Sequence, residues 1–160
     1  MSTFVKGGSI GTPFGRNEYL RSTRDVKSDS FTLAGASIPS RTIDGVTGQK
    51  ILQPGTIMAK ITSGGDAGKV GPYISGGAAL DGRETPANII GINDTFLPWQ
   101  AIERDVEISV VYEASVVAAW CLEYNSGSLV VPVAVSSATQ LLMQHKGATG
   151  PNLSIDINWR

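Results

Sequence analysis

The chain has 160 residues and a mass of 16.8 kDa, a length that suits one compact domain able to bury roughly 70% of its unfolded surface. One cysteine excludes an intrachain disulfide framework, and one histidine excludes a zinc finger or a three-histidine metal centre. Nineteen glycines and eight prolines are too many for a helical bundle and fit short strands joined by tight turns.

The net charge of −1 is unevenly spread. Residues 1–41 carry six basic and three acidic side chains, whereas residues 42–160 carry seven basic and eleven acidic ones. A basic front on an acidic body fits a segment that meets an acidic surface, or an ordinary solvated tail. Neither a dense basic block nor a basic-aromatic groove is present, so no direct nucleic-acid partner is expected. The opening residues lack an apolar signal region, and no apolar run approaches the ~18–20 residues of a membrane helix. No membrane partner is therefore expected, and synthesis in a cytoplasm is.

Residues 1–30 read as an extended N-terminal arm. Gly7, Gly8, Gly11, Pro13 and Gly15 keep regular structure from propagating. Phe4, Val5, Ile10, Phe14, Tyr19 and Leu20 recur without a helical period, as anchors that would dock along a partner. Residues 31–160 read as a β-rich body. Phe31–Leu33 is a short strand. Pro54-Gly55 is a turn, and residues 56–62 alternate, with Ile57, Ala59 and Ile61 on one face and Met58, Lys60 and Thr62 on the other. Seven glycines and two prolines make residues 63–86 one long loop or a pair of loops. Residues 88–92 form a buried strand, and the loop 93–104 carries Phe96, Leu97 and Trp99, either tucked onto the body or offered as a contact surface.

Residues 106–112 and 116–122 both alternate, and the link 113–115 predicts a hairpin between them. A strand over 129–135 holds Pro132, which places it at an edge or bulge. Ser137 and Gln140 have the spacing of a capping box, with Lys146 and Gly147 closing the helix. Leu153, Ile155, Ile157 and Trp159 then line one face of a last strand.

Sequences with chemical potential fail on context. Gly7-Gly8-Ser9-Ile10-Gly11 matches a nucleophile elbow but has only six residues before it and no helix after it. The stretch Gly64–Val70 lacks both the phosphate-loop spacing and the hydroxyl after Lys69, and Pro72 breaks the required helix. Cys121 sits in an apolar stretch that makes a thiol inert, and His145 lies where a histidine caps a helix. Glu103, Asp105 and Glu107 form the solvated face of a strand whose other face is Val106, Ile108 and Val110. Arg83 between Asp81 and Glu84 points to local ion pairing. No catalytic residue, cofactor or metal is expected, and the chain reads as a non-enzyme.

One resemblance gathers these fragments. Leu52 to Ile61 with its proline-glycine turn and lysine, then Gly71-Pro72-Tyr73, Asp81-Gly82-Arg83-Glu84-Thr85, Ile89–Ile92, Arg104–Tyr112 and Val116–Ala118, in that order, resemble the lambda-type head decoration proteins of tailed phages. The resemblance spans roughly residues 50–122. It implies a mainly β, barrel- or tulip-like fold with one short helix. It further implies a homotrimer on the outer capsid surface at three-fold and quasi-three-fold positions of the expanded head. There it would clamp the major capsid protein against internal DNA pressure, with the arm adding as a strand. No arm motif carries over, and Phe96, Leu97 and Trp99 are the candidate trimer or capsid contacts. The loop 93–104, the segment 125–147 and the terminal strand depart from the compact members of that family. The rival readings are a tail-tube or fibre component, and a carbohydrate-binding β-sandwich using exposed aromatics such as Trp99 or Trp159.

Overall fold

The computed structural model describes residues 18–43, 45–76, 79–98, 101–102, 104–125, 132–144 and 155–160. The chain is mainly β, with one short α-helix among the described residues. In chain order the strands are β1 (Lys27–Leu33), β2 (Arg41–Ile43), β3 (Val46–Gln49), β4 (Ile57–Lys60), β5 (Val70–Pro72), β6 (Ile74–Ser75), β7 (Ile89–Asn93), β8 (Val106–Val116), β9 (Leu122–Asn125), β10 (Pro132–Ala134) and β11 (Asp156–Trp159). The helix, α1 (Ser137–Leu142), lies between β10 and β11.

The main sheet runs β1-β5-β4-β7-β8-β11, and β1 also pairs with β8. The order β1-β5-β4-β7-β8 therefore returns to β1 and closes a five-stranded ring. Its shortest seam is the parallel pairing Leu33↔Val70, and its longest is the antiparallel β1–β8 ladder. Closure removes most of the free edge that an open sheet presents. A small sheet β10-β9-β6 and the hairpin β2-β3 complete the described strands. Pro132 opens β10 at the edge of the small sheet, where its missing donor costs least.

Two apolar clusters occupy opposite faces of the ring strands. Ile57 and Ala59 of β4 join Tyr19, Ile89, Ile92, Val111, Val116 and Ile157 in one, while Met58 joins Leu33, Val70, Ile108 and Val110 in the other. Adjacent β4 residues thus feed different cores, as the period of two requires.

β-bulges let a long strand serve both cores. Lys27 pairs with Glu113 but Ser28 with Val111, so Tyr112 is the extra residue on β8. Ahead of the bulge Ile108 and Val110 face the second cluster, and behind it Ala114 and Val116 face the first. One inserted residue exchanges the faces. The hairpin expected over 106–122 is corrected on this ground. β8 continues through residues 113–115, and the chain then enters a 3₁₀ turn, Ala118–Trp120, rather than a second strand. A similar irregularity at Ile90 of β7 places Ile89 and Ile92 in the first cluster and Ile90 against the second.

Three further expectations need correction. The loop region 63–86 contains β5 and β6, because Gly64 and Gly68 at positive φ turn the chain back onto β4. The helix starts one residue earlier than its expected cap. Ser136 Oγ, not Ser137, accepts from Thr139 N at 3.2 Å, and Gln140 turns its amide to the Val135 carbonyl. The helix ends at Leu142, and Lys146 and Gly147 lie outside the described residues. Finally, residues 18–30 belong to the body and not to an arm over 1–30. Lys27–Ser30 are part of β1, and the segment before them packs on β8.

Candidate interaction surface

The surface is built where the chain enters the described fold. Tyr19 is 1% exposed within the first apolar cluster. Its hydroxyl donates to Asp94 Oδ1 at 2.9 Å. Leu20 forms a β-bridge with Val116 and packs on the same cluster. Val117 N donates to the Tyr19 carbonyl (2.8 Å), and Arg21 N donates to the Ser115 carbonyl (2.9 Å). Residues 19–21 thus prolong the ladder that β1 makes with β8. Tyr19 and Leu20, expected as capsid-binding anchors, are core and ladder residues, because an aromatic ring and a leucine gain more from an apolar cleft in their own body than from solvent. Phe4, Val5, Ile10 and Phe14 lie outside the described residues.

Val117 connects this entry point to a residue that the alternating pattern concealed. Its carbonyl accepts from Trp120 N at 3.0 Å, and Trp120 is 52% exposed. A continuous strand 116–122 would place Trp120 with Val116 and Leu122. The Ala118-Ala119 pair, weak in β propensity, is the local signal against that strand. Arg160 closes the same corner, with Arg160 N donating to the Val116 carbonyl (3.1 Å) and its own carbonyl accepting from Ala118 N (3.0 Å). Arg21 and Arg160 are exposed.

The described residues of the loop 93–104 are tucked onto the body. Leu97 exchanges backbone hydrogen bonds with Leu52 (3.1 and 2.9 Å) and packs on the second cluster, and Ile102 is fully buried. Asn93 fixes the start of this loop, its amide donating to the Gln53 and Thr95 carbonyls. Phe96 is half-buried, and Trp99 lies outside the described residues. Leu97 is therefore a packing residue, and the structure does not bring Phe96 and Leu97 to the entry corner by any bond described.

The chemically suggestive residues are occupied otherwise. Lys69 Nζ bridges Asp66 (2.6 Å) and Asp105 (2.5 Å). These hydrogen bonds raise the lysine above its ordinary value, and the Lys69 ammonium together with the Gly35 amide holds the Asp105 carboxyl below its own. Burial pushes the Cys121 thiol up to about 12, which leaves it protonated at neutral pH. Arg83 is 9% exposed and bonds Asp81 (2.8 and 3.1 Å) and the Ser37 carbonyl (3.0 Å), so the Asp81–Glu84 turn is an internal clasp. Burial, then the charge of Glu123, raises the Tyr73 phenol. Among the described residues no group of three His, Cys, Asp or Glu side chains could hold a metal ion, and no helix is long and apolar enough to cross a membrane. Ser9, Glu103 and His145 lie outside the described residues.

The chain matches no protein-family model, no curated protein and no solved structure.

Clefts lined by described residues lie at three places. One of about 420 Å³ runs between residues 22–25, the bulged part of β8 and β11. A second, of about 290 Å³, lies beside β11 at Gln144 and Trp159. The third, about 250 Å³, opens over Phe31, Lys60, Ile90 and Tyr112 of the ring strands. The first falls within the ~300–1,000 Å³ of typical ligand pockets, and the other two lie at or just below its lower end.

Proposed function

We propose that this chain is a phage capsid decoration protein, a non-enzymatic virion component that binds the outer surface of the expanded head as a homotrimer and stabilises the shell. The observation that carries the reading is the order of the decoration-type motifs between residues 50 and 122, together with where those residues lie. The Pro54–Gly55 turn leads into β4, which ends at Lys60. Gly71-Pro72 are in β5, Ile89–Ile92 in β7 and Val106–Tyr112 in β8, and β5-β4-β7-β8 are consecutive neighbours in one sheet. The strand-forming motifs thus share one sheet, while Asp81–Thr85 lies in the turn that Arg83 clasps.

The physics of such a role is simple. Residues 1–17 carry Lys6 and Arg16 and no acidic side chain, with Phe4, Val5, Ile10 and Phe14 spaced between glycines. A segment of this kind adds main-chain hydrogen bonds along a partner's strand and seats its apolar residues in pockets. Three such segments on one trimer gain from effective concentration, so each contact can be weak. A ligand that binds only the expanded lattice stabilises that lattice by mass action.

The test is co-sedimentation with expanded, undecorated heads of the phage that encodes the chain, comparing the full chain with one lacking residues 2–17. This deletion spares Tyr19, Leu20 and β1, which the fold needs. Saturable binding by the full chain, weakened at least tenfold by the deletion, supports decoration through the leading segment. Equal binding by both forms assigns the contact to the body. Absence of binding by both overturns the capsid reading and favours a tail-tube or fibre component.

A further inference from the structure

The face of the ring strands that holds the second apolar cluster runs, at one end, into the cleft of about 250 Å³. Counting by two along each strand gives the layer beyond that cluster. On β1, Leu33 is preceded by Phe31 and Asp29; on β4, Met58 is followed by Lys60; on β8, Val110 is followed by Tyr112. Those four flanking residues and Ile90 of β7 line the cleft. β1 is a sheet neighbour of neither β4 nor β7, so side chains from all four strands converge only across the inside of the ring. The cleft is therefore the mouth of the ring, a place where barrels take small ligands. Phe31 and Ile90 pack on the second cluster and form its floor. Asp29 and Lys60 are exposed and Tyr112 is half-buried. Among the described residues none of these three makes a side-chain hydrogen bond, and Asp29 and Lys60 share the cleft without forming an ion pair. The other clefts differ. In the first, Glu113 is bonded to Lys27 at 2.8 Å and Ser22 Oγ accepts from Arg24 N at 3.1 Å. Beside the second, the Ile157 amide donates to the Met143 carbonyl.

We infer that this mouth is a binding site for a small zwitterion with a planar apolar body, of the class of the aromatic α-amino acids. The ligand's ring rests on Phe31 and Ile90, its carboxylate meets the Lys60 ammonium, and its ammonium meets the Asp29 carboxylate. A cavity of ~150 Å³ already takes a benzene ring, so about 250 Å³ leaves room for a ring and a small charged head. The opposite charges on the rim do the selecting. A ligand with only an anionic group faces Asp29 with nothing to offer it, and one with only a cationic group faces Lys60 in the same way. Tyr112 is the extra residue of the β8 bulge, and a bulge re-aims a side chain; here it supplies one wall of the mouth. The rim charges are exposed, so each contributes modestly, and a Kd of about 0.1–1 mM is expected. This inference goes beyond the decoration reading and does not depend on it, because it concerns the free protein.

The experiment titrates the full chain with L-phenylalanine and L-tryptophan and follows backbone amide shifts by NMR, with phenylacetate, phenethylamine and L-alanine as comparison probes. Saturation by at least one of the two aromatic amino acids is expected at about 0.1–1 mM, with shifts centred on residues 29–31, 60, 90 and 112. Phenylacetate and phenethylamine, each lacking one charge, are expected to bind at least about fivefold more weakly, and L-alanine, lacking the ring, is expected not to saturate. Lys60→Met and Asp29→Asn change exposed residues and are each expected to weaken binding about fivefold or more with the thermal melt unchanged. Absence of saturation by both amino acids up to about 10 mM overturns the inference. Shifts centred elsewhere overturn it too, as does equal binding of phenylacetate or phenethylamine, which removes the selection for a zwitterion. Should one variant melt early, the other decides, and undiminished binding by the variant that keeps its melt sinks the site. Head binding by the unaltered chain is a separate readout that none of these outcomes changes.

Discussion

Replacing Tyr19 with alanine tests where the leading segment stops and the body starts. The side chain is 1% exposed and packs with the cluster that holds Val116 and Ile157. A buried aromatic side chain hides roughly 150–250 Å², which at about 25 cal/mol/Å² corresponds to roughly 4–6 kcal/mol, an upper bound because unfolded chains already bury some of that area. The bond from its hydroxyl to Asp94 contributes about 1 kcal/mol net. Truncation of a well-packed aromatic costs about 3–5 kcal/mol, so about 4 kcal/mol is expected for Tyr19→Ala and about 1 kcal/mol for Tyr19→Phe. Urea unfolding followed by circular dichroism reads this directly. With a slope of about 2 kcal/mol per molar urea, the alanine midpoint falls by roughly 2 M. A shift below about 0.3 M would show that residues 18–26 do not pack on β8 and that the arm extends to residue 30.

Three more perturbations probe other parts of the fold. Gly91→Ala puts a Cβ onto the Val111 carbonyl at φ +149°, and a loss of at least about 2 kcal/mol is expected in a thermal melt; an unchanged melting temperature would contradict the close approach of β7 to β8. Arg83→Met removes the clasp on Asp81 and Ser37 and is expected to cost about 2–3 kcal/mol with little salt dependence, since the guanidinium is nearly enclosed; recovery of stability in high salt would argue for a solvated pair. The Cys121 thiol, raised by burial from an ordinary 9.0 to about 12, should resist a thiol reagent at pH 8 until urea unfolds the chain. Because its folded value lies above the unfolded one, its contribution to stability is complete below pH 9 and is lost between pH 9 and 12; Cys121→Ala should flatten that alkaline decline.

The sequence exposes some of this architecture and hides other parts for definite reasons. β4 and β11 are readable because each keeps one register, so Ile57 and Ala59, or Ile155 and Ile157, fall on one side. β8 misleads because the bulge at Tyr112 exchanges faces mid-strand, and Glu113-Ala114-Ser115 then looks like a turn. β5 is obscured by the glycines that return it to β4, and β6 by being only two residues long. Tyr19 resembles a loose anchor in a glycine-rich neighbourhood, and only the cleft beside Val116, nearly a hundred residues later, makes it a core residue. Trp120 is concealed by regular alternation. Its exposure follows from a 3₁₀ turn that local pattern does not announce.

The seam between β1 and β8 also has a consequence in time. Lys27–Thr32 find their ladder partner in Glu107–Glu113, and the Tyr19 carbonyl accepts from Val117 N. During synthesis the front of the chain must wait for about 80 further residues before it can close the ring. Pairings so distant in sequence form slowly and leave apolar strands open to wrong partners meanwhile. Lys27, Ser28, Asp29 and Ser30 give that waiting strand a hydrophilic interim, so the residues that look least needed in the finished barrel keep its longest-delayed strand soluble until β8 arrives.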